Sequence, residues 1–108
     1  MATFDKKSIF SPETAIEYSE GGVVSKQVTK SKGGNITLFS FDREQGLSEH
    51  TTAFDAVVQI LDGEAEIIIG GEVFYLTKGN SIIMPANIPH SLKATERFKM
   101  LLTMIRQE

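Results

Sequence analysis

Cysteine and tryptophan are absent from the 108 residues, and proline occurs only three times. Without a thiol there is no disulfide, no thiolate metal ligand and no cysteine nucleophile. Long apolar runs are missing too. Runs such as Ile67 to Ile69 and Met100 to Leu102 fall far short of the ~20 residues a membrane-spanning helix needs. Positive charge is thin: 11 Lys plus Arg stand against 14 Asp plus Glu, a net charge of −3, and no basic run exceeds Lys6-Lys7. A nucleic-acid backbone would require clustered cations, so neither nucleic acid nor membrane is an expected partner. The opening Met1-Ala2-Thr3-Phe4-Asp5 does not read as a secretory leader, and a soluble cytoplasmic protein is the expectation. A chain of this length buries roughly 65% of its unfolded surface, enough for one core, and residues 1–108 are read as a single domain.

Ser11-Pro12-Glu13 has the signature of a helix start, because serine can accept from the first free amides and proline fits the first helical position. The spacing predicts a short helix over Pro12 to Tyr18, stopped by Gly21-Gly22. Beyond it the chain is punctuated like an all-β protein, with short β-branched runs between Gly, Asn and Asp clusters. Strands are expected at Val23 to Lys30, Ile36 to Phe41, Phe54 to Leu61, Ala65 to Ile69, Val73 to Leu76, Ser81 to Met84, His90 to Ala94 and Phe98 to Ile105. Asp62-Gly63 and Gly70-Gly71 offer hairpin turns, and Ser31 to Asn35 reads as a hairpin loop. Val57-Val58-Gln59-Ile60-Leu61 is almost continuously apolar, which suits a strand covered on both faces. Eight such strands imply a jelly roll or small closed barrel able to enclose a pocket.

Only two histidines occur, His50 and His90, each at a strand boundary after a Gly- or Pro-containing loop. Alone, either could be a hydrogen-bonded structural residue. Around them stand Gly46-Leu47-Ser48-Glu49-His50-Thr51-Thr52-Ala53-Phe54-Asp55-Ala56, then Gly63, and later Gly79 through Pro85-Ala86-Asn87-Ile88-Pro89-His90. This pattern resembles the cupin superfamily, specifically its small single-domain bacterial members. One motif of that family carries Gly, a His-x-His pair, an acidic residue and Gly. The other carries Gly, Pro-x-Gly, His and Asn. His50, Gly63, Gly79, Pro85 and His90 stand at matching spacings, with motif one over about 46–63 and motif two over about 79–94. The resemblance implies a double-stranded β-helix, a jelly-roll cupin barrel, and the Ser11-Pro12-Glu13 reading adds a short N-terminal helix in front.

Departures from the pattern bear most on function. Metal-bearing cupins hold their cation at positions that correspond here to His50, Thr52, Ala56 and His90, so half the ligand set is missing. Ala56 has no donor, and neutral Thr52 is a poor ligand for a first-row divalent ion. Asp55 could substitute only if a bulge turned it inward, since alternation sends it to the face opposite Ala56; Glu49 meets the same objection beside His50. His50 and His90 therefore form a partial set for zinc, iron, manganese or nickel. Asn87 replaces the motif-two glycine, and asparagine tolerates left-handed backbone angles.

With His50 inward, alternation lines a pocket with Thr52, Phe54, Ala56, Val58 and Ile60, and continues from His90 through Leu92 and Ala94. On the last strand either Met100, Leu102 and Met104 or Leu101, Thr103 and Ile105 face in; the first set is favoured because flexible thioethers suit a ligand cavity. Glu64 and Glu66 share one strand face and read as a solvated face or interface rim. Lys93, Arg97, Lys99 and Arg106 are expected on the outer surface.

Three functions follow. An apolar pocket with His50 and His90 as its polar groups fits small-molecule binding. The resemblance also admits enzymes: a metal-dependent oxygenase, isomerase or decarboxylase, or a metal-free isomerase with His50 or His90 as acid/base, although no sequence neighbour identifies what would fix an imidazole tautomer. It further implies a homodimer through the N-terminal strand and a sheet face.

Overall fold

The computed structural model describes residues 3–107. Among these it has seven strands and no helix: β1 (Val23–Ser31), β2 (Gly34–Phe41), β3 (Gly46–His50), β4 (Phe54–Ile69), β5 (Glu72–Thr77), β6 (Ser81–Met84) and β7 (His90–Arg106). No helix among the described residues is long and apolar enough to cross a membrane.

Every strand pairing is antiparallel, and two long strands organise the rest. β4 and β7 run beside each other from Phe54↔Arg106 to Ile69↔His90. The first part of β4 and the last part of β7 are flanked by β6 on one side and by β2 and β1 on the other. The remaining parts are flanked by β5 and β3. One seven-stranded sheet is thus folded over on itself, its two layers closing on a core of Phe41, Ala56, Val58, Ile60, Ile67, Leu92, Phe98 and Met100. Phe41 stacks on Phe98 with ring centroids 4.5 Å apart, in the middle of this core.

Two pairs of expected strands prove continuous, Phe54 to Leu61 with Ala65 to Ile69 as β4, and His90 to Ala94 with Phe98 to Ile105 as β7. β3, after Gly46, is a further strand. Asp62-Gly63 is not a hairpin turn. The β4–β7 register slips between Ile60 and Asp62 and again between Gly63 and Ala65, which is where β4 passes from one layer to the other. Gly63 has φ 79°, and a Cβ on it would lie 1.7 Å from the Arg97 carbonyl oxygen, so only glycine lets the two backbones meet there. Gly70-Gly71, with φ of 57° and 84°, does turn the chain from β4 into β5.

The expected helix over Pro12 to Tyr18 is absent. Ser11 closes a single turn by accepting from the amides of Thr14 and Ala15, and the helix goes no further because its carbonyls are taken by side chains of the sheet. Lys99 Nζ donates to Glu13 O (2.6 Å), Lys26 Nζ to Ala15 O (2.9 Å) and Ser40 Oγ to Glu17 O (2.7 Å). The segment lies as a strap over the outside of the sheet. Ile16, with none of its surface exposed, packs against Val28, Leu38, Leu61 and Leu101, a burial worth about 2 kcal/mol. Leu61 is thereby covered on the outside while Val58 and Ile60 face the core.

Tyr18 ends the strap. Its hydroxyl donates to Asp62 (2.6 Å), Arg97 lies 4.3 Å and Lys99 5.1 Å from its ring centre, and burial and the Asp62 bond push its phenol well above the ordinary range. Arg97 and Lys99 are therefore clamps on the strap as well as surface cations.

Replacing Gly63 by alanine is expected to cost about 2–4 kcal/mol, because both the left-handed φ and the contact with Arg97 O oppose a side chain. Denaturant unfolding monitored by circular dichroism measures it; a loss below about 0.5 kcal/mol would mean that the layer crossing does not depend on this glycine.

Candidate functional site

His50 ends β3 and His90 begins β7, and the two are direct partners in the β3–β7 ladder. Their rings meet edge to face with centroids 4.4 Å apart. A bulge brings them together: Leu47 pairs with Leu92, but His50 pairs with His90, so β3 spends three steps where β7 spends two. The extra residue returns His50 to the face that Leu47 and Leu92 share, which plain alternation would deny it. His90 is only 4% exposed, while His50 is exposed and sits at the rim.

Both imidazoles are held by backbone. Nδ1 of His50 lies 2.7 Å from Ser48 O and Nδ1 of His90 lies 3.2 Å from Ile88 O, in each case the carbonyl two residues earlier. A carbonyl oxygen only accepts, so each Nδ1 carries the proton and each Nε2 keeps its lone pair. These two carbonyls are the partners that sequence reading could not find, since any residue could supply them. Burial pushes the His90 pKa below the ordinary 6.5; nearby His50 adds to this, and the Ile88 carbonyl opposes it. His90 is therefore neutral at pH 7, a hydrogen-bond acceptor and weak base at Nε2.

The pocket residues read from alternation fall into two groups. Ala56, Val58, Ile60, Leu92 and Met100 are buried together in the core, with the half-buried Leu102 and Met104 at its margin. Leu101 instead packs under the strap, and Ile105 is exposed. Ala56 pairs with both Met84 and Met104, so an apolar row crosses three strands where the family resemblance places an acidic ligand. Thr52 and Phe54 are half-buried, and the Thr52 hydroxyl is engaged with the Phe54 backbone, donating to its carbonyl (3.0 Å) and accepting from its amide (3.1 Å).

The remaining carboxylates do not complete a ligand set. Asp55 stays on the face opposite Ala56, because β4 pairs with β7 and β6 there without a slip. It accepts the Ala86 amide (2.8 Å) and so anchors the loop that leads to His90. The Asn87 amide, donating to Thr52 O (2.7 Å), pins the same loop, and Asn87 has φ 64°. Glu49 is exposed within the β3 bulge. Among the described residues no three of His, Cys, Asp and Glu converge, and two imidazoles do not amount to the three or four good donors of a tight divalent site. A depression of about 260 Å³ lies away from the histidines, between the β1–β2 hairpin and the last turns of β7, at Thr29, Gly34, Ile36 and Thr103.

The unfolded chain binds a proton to His90 more readily than the folded one, so the stability this residue contributes is present above pH 6.5 and is lost as pH falls through the lower folded pKa. The melting temperature is expected to fall between pH 7 and pH 5, and to fall less steeply in His90→Gln. Differential scanning calorimetry across that range reads the difference; parallel curves would show that burial of His90 has no proton linkage.

The model of the cupin domain family matches residues 38–105. A conserved protein of unknown function from Streptococcus pyogenes is 32% identical, with a TM-score of 0.91 over 100% of this chain and 97% of that one. A cupin superfamily protein from Desulfitobacterium hafniense is 27% identical, with a TM-score of 0.90 over 98% and 97%. A Cupin 2 conserved barrel domain protein from Leptotrichia buccalis is 40% identical, with a TM-score of 0.83 over 85% of this chain and 45% of its own. No curated protein matches the chain. With a family model matched over more than half of its residues, and a relative 32% identical along its whole length, the protein belongs to the cupin family.

Proposed function

We propose that this cupin binds a small, uncharged organic molecule carrying hydrogen-bond donors, hydroxyl or amide groups, at the His50–His90 pair. The observation that carries the reading is the backbone grip on both rings: carbonyls of Ser48 and Ile88 engage the two Nδ1 atoms, which leaves an Nε2 acceptor on each of two imidazoles whose centroids lie 4.4 Å apart. Two adjacent acceptors favour a ligand that donates twice. A carboxylate would face those lone pairs unless an imidazole first took up a proton, which burial opposes at His90. Leu47, Leu92 and Ile69, on the same face as the pair, offer apolar contact to the rest of the ligand.

Metal-free proton transfer is the second reading, favoured by the depressed His90 pKa, which keeps a neutral base available at pH 7. A resident divalent metal fits less well. His50 and His90 could bind zinc, iron, manganese or nickel, but with Ala56 at the acidic position and Asp55 committed to Ala86, the charge of such an ion would go uncompensated.

Thermal-shift measurements at pH 8 with neutral sugars and polyols, beside carboxylates of similar size, test the ligand class. A hydroxylated ligand at ten times its Kd is expected to add about 1.4 kcal/mol, a rise of ~6–11 °C, absent in His50→Ala and His90→Ala proteins that still fold. Carboxylates that bind at pH 8 while neutral ligands do not would overturn the class. Elemental mass spectrometry of tag-free protein is expected to find well under one metal per chain; about one per chain, lost in the His50→Ala/His90→Ala double variant, would overturn the metal-free reading.

A further inference from the structure

Positive charge is scattered along the sequence, but the pairing of β1, β2 and the end of β7 collects it. Lys26, Lys30, Lys32, Lys99 and Arg106 all fall within residues 23–41 and 98–107, two stretches without a single Asp or Glu in a chain of net charge −3. Lys26 and Lys99 hold the strap carbonyls. Lys30, Lys32 and Arg106 stand at the other end, around the β1–β2 turn, and among the described residues none of the three is in an ion pair. Arg106 is fixed there, its amide donating to Gly33 O (2.9 Å) and its guanidinium to Lys32 O (3.4 Å). Asp55 stands two strands from Gly34 along the rung Gly34↔Ile105↔Asp55, about 10 Å away, and is bonded to the Ala86 amide. Asp5, next to Phe4 at the edge of β1, pairs with none of these cations.

The 260 Å³ depression opens at this same end, with Lys30 on its wall. The register arranges the rest of the lining: Thr29, Ile36 and Thr103 share one rung, and Ser31 and Gly34 the next. Gly34 leaves the floor bare of a side chain. Ser31 Oγ accepts the Gly33 amide (3.3 Å), so its hydroxyl proton is free to be donated into the hollow. Thr29 and Thr103 add two more hydroxyls from opposite sides. Donors thus come from β1 on one side and β7 on the other, an ammonium and a guanidinium supply charge, and no carboxylate opposes them. The volume corresponds to about nine waters at ~30 Å³ each and falls below the ~300 Å³ at which drug-sized pockets begin, so the occupant is small. A tetrahedral phosphate offers acceptor oxygens in several directions at once, as this lining requires, whereas a carboxylate offers two in one plane.

We infer that this hollow is an anion site that takes the phosphate group of a small phosphorylated molecule. Thr29, Ser31 and Thr103 donate to its oxygens, Lys30 and Arg106 balance its charge, and Ile36 contacts the organic part. The site is separate from the His50–His90 pair, and it stands whatever the histidines bind.

Two-dimensional amide NMR of the full chain at pH 8 and low ionic strength, titrated with inorganic phosphate and with glycerol phosphate, tests the assignment. Saturable shifts are expected at the amides of Thr29, Ser31, Gly34 and Thr103, with the ester binding at least as tightly as the inorganic ion. Thr103→Val, which keeps the β-branched shape and the charge, and Arg106→Gln should each weaken binding by about 10-fold, while Lys93→Gln, on the other layer, should not. The same spectra show that each variant is folded. Shifts that fail to saturate, or that chloride at equal ionic strength reproduces, would overturn the site. Undiminished binding by Thr103→Val would reveal only a diffuse basic surface and overturn it too. Malonate binding as tightly as glycerol phosphate would overturn the phosphate class.

Discussion

The pairing of β4 with β7 is the constraint on which the rest of the molecule depends. Each strand is long enough to belong to both layers, and their ladder from Phe54↔Arg106 to Ile69↔His90 fixes where every shorter strand can attach. Such long-range pairing is costly in chain entropy and is secured by what it buries: Val58, Ile60, Ile67, Leu92, Phe98 and Met100 all lie on these two strands. The crossing between layers needs a place where one backbone can press against the other, and Gly63 supplies it.

The site inherits its geometry from that ladder. His90 is held at the first position of β7, opposite Ile69, and β3 then has only a short stretch in which to deliver His50. A one-residue bulge decides that the second imidazole meets the first. Chemistry follows from backbone more than from side chains: two carbonyls choose the tautomers, burial keeps His90 neutral, and Asp55, the nearest acid in sequence to the empty ligand position, serves as an anchor for the loop before His90.

The outer side of the sheet is covered in one part and open in another. The strap closes one part by giving its own carbonyls to Lys26, Ser40 and Lys99 and sinking Ile16 among Leu38, Leu61 and Leu101. On the other part, Ile83 and Ile105 stay exposed.

The amino-acid sequence by itself determined the all-β character, the spacing of the cupin motifs, the loss of two family ligands at Thr52 and Ala56, and the two histidines as the polar candidates. These are matters of residue identity and short-range pattern, which survive any detail of packing. Tertiary structure decided the rest. Asp62-Gly63 has the local chemistry of a hairpin turn, and only the approach of Arg97 O shows that it is a bulge in a continuous strand. Ser11-Pro12 begins a helical turn as its residues direct, yet cations from distant strands compete for the carbonyls a helix would need. The bulge that turns His50 toward His90 leaves no mark in composition, and the carbonyls that fix the tautomers belong to Ser48 and Ile88, whose side chains carry no signal for the role. Backbone atoms do this work, and a backbone atom acquires its particular function only when the fold has placed it.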